Sequence, residues 1–177
     1  MKKIFNLMAV ACAVMAFASC EKDNGGSSET DPNQPVMTWE ANPKFETTEL
    51  QSEMDVVISI SAPAGIETFV VDVDSDALEP IISVVNNGSS TMDLVNPPAG
   101  LSGILSGVGL PTGDALKGQT SVTLDLSNLV PLIITVGESN LKPDSNHTFT
   151  LSLSDADGRT LQQPVTFHYT GTSASAE

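Results

Sequence analysis

The chain has 177 residues, 40% of them hydrophobic and 5% aromatic, with 22 acidic against 7 basic side chains and a formal net charge of −15. That length fits one domain of the commonest size, with enough apolar content for a core that needs neither disulfide nor metal. The negative balance excludes nucleic acid and anionic lipid headgroups as partners of the bulk chain, because both carry charge of the same sign.

The first residues read as a targeting segment. Lys2 and Lys3 precede an apolar run from Ile4 to Phe17, broken only by Asn6 and followed by Ala18, Ser19 and Cys20. A membrane-spanning helix needs about 20 apolar residues, so this shorter run ending in small residues predicts a cleaved secretory signal over 1–19. Phe17-Ala18-Ser19-Cys20 resembles the lipobox of bacterial lipoproteins, which implies acylation of the Cys20 thiol and cleavage just before it. One acyl chain anchors a protein marginally and two or three hold it stably, so the membrane partner is reached through lipid on Cys20. Cys12 would leave with the signal, and the loss of Lys2 and Lys3 would move the charge from −15 to −17.

Residues 21–35, EKDNGGSSETDPNQP, contain no apolar residue except proline, so 20–35 is expected to be a lipidated cysteine and flexible tether. Its coil dimension is about 20 Å and its extended limit about 50 Å. Glu21-Lys22-Asp23 resembles the acidic export tag of surface lipoproteins in Bacteroidota, which implies an outer-membrane, surface-exposed address.

Beyond the tether the pattern alternates. Met54, Val56, Ile58 and Ile60 share one parity, as do Phe69, Val71 and Val73, then Val122, Leu124 and Leu126, then Phe149, Leu151 and Leu153, then Val165, Phe167 and Tyr169. Each set predicts a half-buried strand. VMTWE (36–40) and TMDLV (91–95) add two more, Asp157-Gly158 supplies a hairpin turn, and Gln162-Gln163-Pro164 predicts a bulge or late strand start. Three stretches break the alternation. NPPAGLSGILSGVG predicts a short helix capped by Asn96 with Pro97 at its first position, and EPIISVV and NLVPLII are ambiguous between helix and strand. The expected fold class is all-β, a sandwich of about seven strands with short helical crossovers over 36–171, followed by a disordered tail at 172–177.

The run of IETFVVDVDSDAL, MDLVNPP, GLPTGDALKGQTSVTLDLSNLVPLI and HTFTLSLSDADGRT resembles immunoglobulin-like domains of Bacteroidota cell-envelope lipoproteins. The resemblance implies an immunoglobulin-like sandwich in a setting of adhesion or glycan capture, and its motifs carry no catalytic residue.

Candidate chemistry is sparse. Asp72, Asp74 and Asp76 fall at alternate positions and offer three carboxylates to a calcium ion, but Ala77 and Ser83 stand where a calcium loop needs glycine and glutamate. The alternative is the solvated face of a strand whose other face is Phe69, Val71 and Val73. GDALKGQT (113–120) has the glycine spacing of a phosphate loop with Gln119 in place of the lysine, and reads as a helix-to-strand loop. His147 and His168 show no metal spacing and read as ordinary strand residues, and no serine sits in a GxSxG turn. No catalytic residue and no cofactor is assigned. The expected function is that of a non-enzymatic surface lipoprotein for adhesion or assembly with envelope proteins. The alternative is a glycan-binding accessory lipoprotein, which requires exposed aromatics, whereas Trp39 and Tyr169 look suited to packing.

Overall fold

The computed structural model describes residues 31–40, 45–137 and 140–171. The expected signal, Cys20, the expected tether as far as residue 30 and the expected tail at 172–177 lie outside the described residues. In chain order the elements are β1 (Val36–Trp39), β2 (Thr48–Glu49), β3 (Val57–Ser61), β4 (Ile66–Asp74), α1 (Glu79–Val85), β5 (Thr91–Asp93), α2 (Ala99–Gly107), a 3-10 turn (Gly113–Ala115), β6 (Ser121–Asp125), α3 (Val130–Gly137), β7 (Ser145–Asp155) and β8 (Thr160–Tyr169). They form two sheets, a three-stranded one ordered β1-β3-β6 and a five-stranded one ordered β2-β8-β7-β4-β5.

The expected alternation is what buries the strands. Phe69, Val71 and Val73 of β4 point inward beside Leu151 and Leu153 of β7 and Val165 and Phe167 of β8, all 6% exposed or less. Ile58 and Ile60 of β3 and Leu124 of β6 supply the opposing apolar side, and both sheets feed one core. Because side chains alternate across a sheet, the other parity of the large sheet is polar. There Thr68 bonds Ser154 at 2.6 Å and Thr148 bonds Thr166 at 3.0 Å.

The structure alters the sequence reading in four places. Gln162-Gln163-Pro164 makes no bulge: β8 pairs with β7 without a register shift from Ser154↔Thr160 to Ser145↔Tyr169. Proline fits because β2 reaches β8 only at Phe167 and His168, so at Pro164 no strand lies on the outer side to require its missing N–H. The register shift falls instead between Ile66 and Thr68 of β4. The cap of α2 is Pro98, with no side-chain cap bond, in place of Asn96, whose own backbone N–H donates to Asp93 Oδ1 at 2.9 Å. The end of the expected tether is packed: Pro35 is buried, Gln34 Nε2 donates to the Thr160 carbonyl at 2.8 Å, and Asp31 lies 3.2 Å from the Arg159 guanidinium. The folded region therefore includes residues 31–35.

EPIISVV forms α1 and most of NLVPLII enters α3, so both ambiguous stretches are helical. The hairpin between β7 and β8 is organised by Asp155, which is 2% exposed. Its Oδ1 accepts the backbone N–H of Asp157 at 3.0 Å and of Arg159 at 2.8 Å, while Gly158 takes φ +80°, where a side chain would strain the turn. Gly65, at φ +87°, and Gly118 join the β3–β4 and pre-β6 loops: a Cβ on Gly65 would sit 3.0 Å from the Gly118 carbonyl oxygen.

Candidate functional site

Two concave regions stand out, and both follow from where the inward rows of the sheets end. The row His147, Phe149, Leu151, Leu153, Asp155 of β7 has a polar residue at each end, and the β4 row Phe69, Val71, Val73 continues into Ser75. Parity thus carries His147 and Ser75 inside, and each is 2% exposed. A buried polar group must find a partner, and these two find each other: Ser75 Oγ lies 2.7 Å from His147 Nδ1. The far ring nitrogen, Nε2, is 3.0 Å from Ser145 Oγ.

This pair floors a polar cleft of about 310 Å³ bordered by Asp74, Asp76, Asn140, Lys142 and Asn146. Burial holds the His147 imidazole below its ordinary pKa, opposed by the nearby Asp76 carboxylate and reinforced by His168. Ser75 also braces the turn that leads into α1. Its Oγ accepts the Leu78 N–H at 3.3 Å, and Glu79 Oε1 accepts the Ser75 N–H at 3.3 Å. A nucleophilic serine needs its hydroxyl exposed and its histidine oriented by a third group. Here the hydroxyl is buried and occupied, and the third group is another serine.

The three aspartates of the candidate calcium site are all exposed at alternate positions, on the outward parity of β4 and its continuation. Asp72 accepts a hydrogen bond from the Thr91 hydroxyl, and Asp76 lies 3.7 Å from Lys142 Nζ in an exposed ion pair. Among the described residues no three histidine, cysteine or carboxylate side chains converge as a metal group would require. In GDALKGQT the glycine amides are committed to the chain itself: Gly113 N donates to Leu94 O at 2.9 Å and Gly118 N to Ile66 O at 2.7 Å. Both glycines have positive φ, at 61° and 75°, so the resemblance to a phosphate loop reflects turn geometry. The outward-facing His168 bonds Asn146 Oδ1 at 2.8 Å.

Trp39 is 3% exposed and meets Phe45 edge-on at 5.6 Å between ring centroids, which leaves no indole face for stacking on a sugar. Its Nε1 is buried with no hydrogen-bond partner among the described residues. Tyr169 is partly buried against the core.

The second region is apolar. A cavity of about 260 Å³ lies where the inner faces of both sheets meet α1, α2 and α3, and every residue lining it is hydrophobic. Val71 and Leu151 come from the large sheet, Ile58 and Leu124 from the small one, and Ile82 and Leu105 from the helices. Periodicity identifies these residues as core, but it does not reveal that the core is incompletely filled, because the gap depends on how closely the helices approach the strands. No helix among the described residues is long and apolar enough to cross a membrane.

No protein-family model, curated protein or solved structure matches the chain.

Proposed function

We propose that the protein is a non-enzymatic envelope lipoprotein, held by acyl groups on Cys20 and exposed at the outer surface, whose immunoglobulin-like sandwich serves adhesion or assembly with envelope proteins. The observation that carries this reading is the state of the sheet edges. Among the described residues β1 and β6 each pair with β3 alone, so both flanks of the small sheet are open. An open edge presents unpaired backbone donors and acceptors that accept an added strand from a partner, with side chains beside it setting specificity. Both edges are short, and Asp125 closes the exposed parity of β6 with a charge, which restrains indiscriminate pairing while leaving a specific partner room. The signal-like N-terminus and the acidic charge balance support the address.

Protease treatment of intact cells tests the reading. Surface display predicts loss of the protein before lysis, and acylation predicts incorporation of labelled palmitate that Cys20→Ala abolishes. Protection until lysis, or no palmitate label on the unmutated chain, would overturn it.

A further inference from the structure

The apolar cavity has no part in edge pairing, and its chemistry points elsewhere. We propose that it is a binding site for the hydrocarbon chain of a single neutral lipophilic molecule, admitted beside α2. The lining decides the ligand class. With almost no polar surface on its walls, a sugar or peptide placed there would lose its hydrogen bonds to water and gain next to none in return. An aliphatic chain loses nothing of that kind and exchanges water for close contact with Leu, Ile and Val side chains.

Size narrows the class further. An apolar cavity of about 150 Å³ accommodates one benzene, and pockets for drug-sized ligands begin near 300 Å³. A volume of about 260 Å³ therefore suits one chain and is too small for a two-tailed lipid. Ile104 of α2 places the mouth, since it lines the cavity and is also 45% exposed. The neighbouring wall is the one best able to yield. α1 has no buried residue, its Val84 is 83% exposed, and it approaches α2 at Gly100, where a Cβ would lie 3.0 Å from the Val85 carbonyl oxygen. The chain's net charge of −15 disfavours an anionic head at that mouth, which leaves a neutral one.

The test uses the full chain carrying Cys20→Ala, so that no acyl group of its own competes, titrated with the neutral dye N-phenyl-1-naphthylamine. Saturable fluorescence at one dye per chain, displaced by 1-decanol, is the expected result. Leu126→Trp and Val85→Trp each project an indole into the cavity from a partly exposed wall position. Each should weaken dye binding at least tenfold while keeping a cooperative melt. Fluorescence that does not saturate, dye that decanol does not displace, or unchanged affinity in both folded variants would overturn the proposal. Should neither variant fold, the melting temperature of the Cys20→Ala chain decides, because a ligand that binds only the folded state raises it. A rise with decanol that saturates supports the site, and no rise overturns it. None of these readouts depends on surface display, so a failure of protease shaving leaves them intact.

Discussion

The large sheet and the helical wall are built from similar apolar residues, yet they bury them very differently. In β4 the row Phe69, Val71, Val73 is at most 6% exposed. In α1 the sequence EPIISVV has four apolar residues among the five that follow its Glu-Pro start and buries none of them fully. A strand needs only one of two faces covered, and antiparallel partners pin that face through a long register. A short helix spreads its apolar residues over a wide arc, and in α1 Ile81, Ile82 and Val85 face the cavity while Val84 is left exposed. What differs is coverage, not hydrophobicity, and the cavity opens on the side where coverage is least.

Four substitutions or conditions test that contrast, beginning with the largest effect. Phe69→Ala removes a ring with no exposure from the middle of β4 and should cost about 3–5 kcal/mol in a denaturant titration. A cost near 1 kcal/mol would mean that the sheet core is as loosely filled as the helical side. Asp155→Ala strips two backbone N–H groups of their acceptor and leaves Arg159 without its buried partner, now 3.2 Å away. Hydrogen bonds to a charged group contribute about 1.5–3 kcal/mol, and a loss of that order is expected, with faster amide exchange confined to the hairpin.

At the border between the regions, His147 makes stability depend on pH. Its folded pKa lies below the ordinary value of 6.5, so the unfolded chain binds the proton more readily. Stability should be constant with respect to this group well above pH 6.5 and fall as the pH drops from there through the lower folded pKa. In His147→Gln, melting curves recorded across that window should lose this component of the slope. The smallest effect belongs to the helical wall: Val84→Ser, at a side chain 83% exposed, should change stability by no more than about 0.5 kcal/mol. A larger loss would show that something covers α1 in solution.

Much of the architecture was legible from parity. The inward rows of β3, β4, β6, β7 and β8 are the rows that alternation indicates, and the same rule places His147, Asp155 and Ser75 inside although all three are polar. The exposed setting of Asp72, Asp74 and Asp76 follows from that parity as well. Other features were not legible. Gln162-Gln163-Pro164 looked like an interruption because a sequence does not say which strand edge is open, and Pro164 is tolerated only because β2 is two residues long. Residues 31–35 have the polarity of a tether, whereas their contacts are made with Thr160 and Arg159, more than 120 positions away.

The sequence by itself determined the local terms: the acidic charge, the apolar N-terminal run ending at Cys20, the alternating strands, and the turn chemistry of Asp157 and Gly158. These depend on residue type and short spacing, which a linear chain carries openly. Tertiary structure alone decided which edges stay open, how His147 and Ser75 satisfy one another, and that a cavity of about 260 Å³ persists between the sheets and the helices. Those outcomes are set by distances between elements remote in sequence, which the order of residues along the chain does not specify.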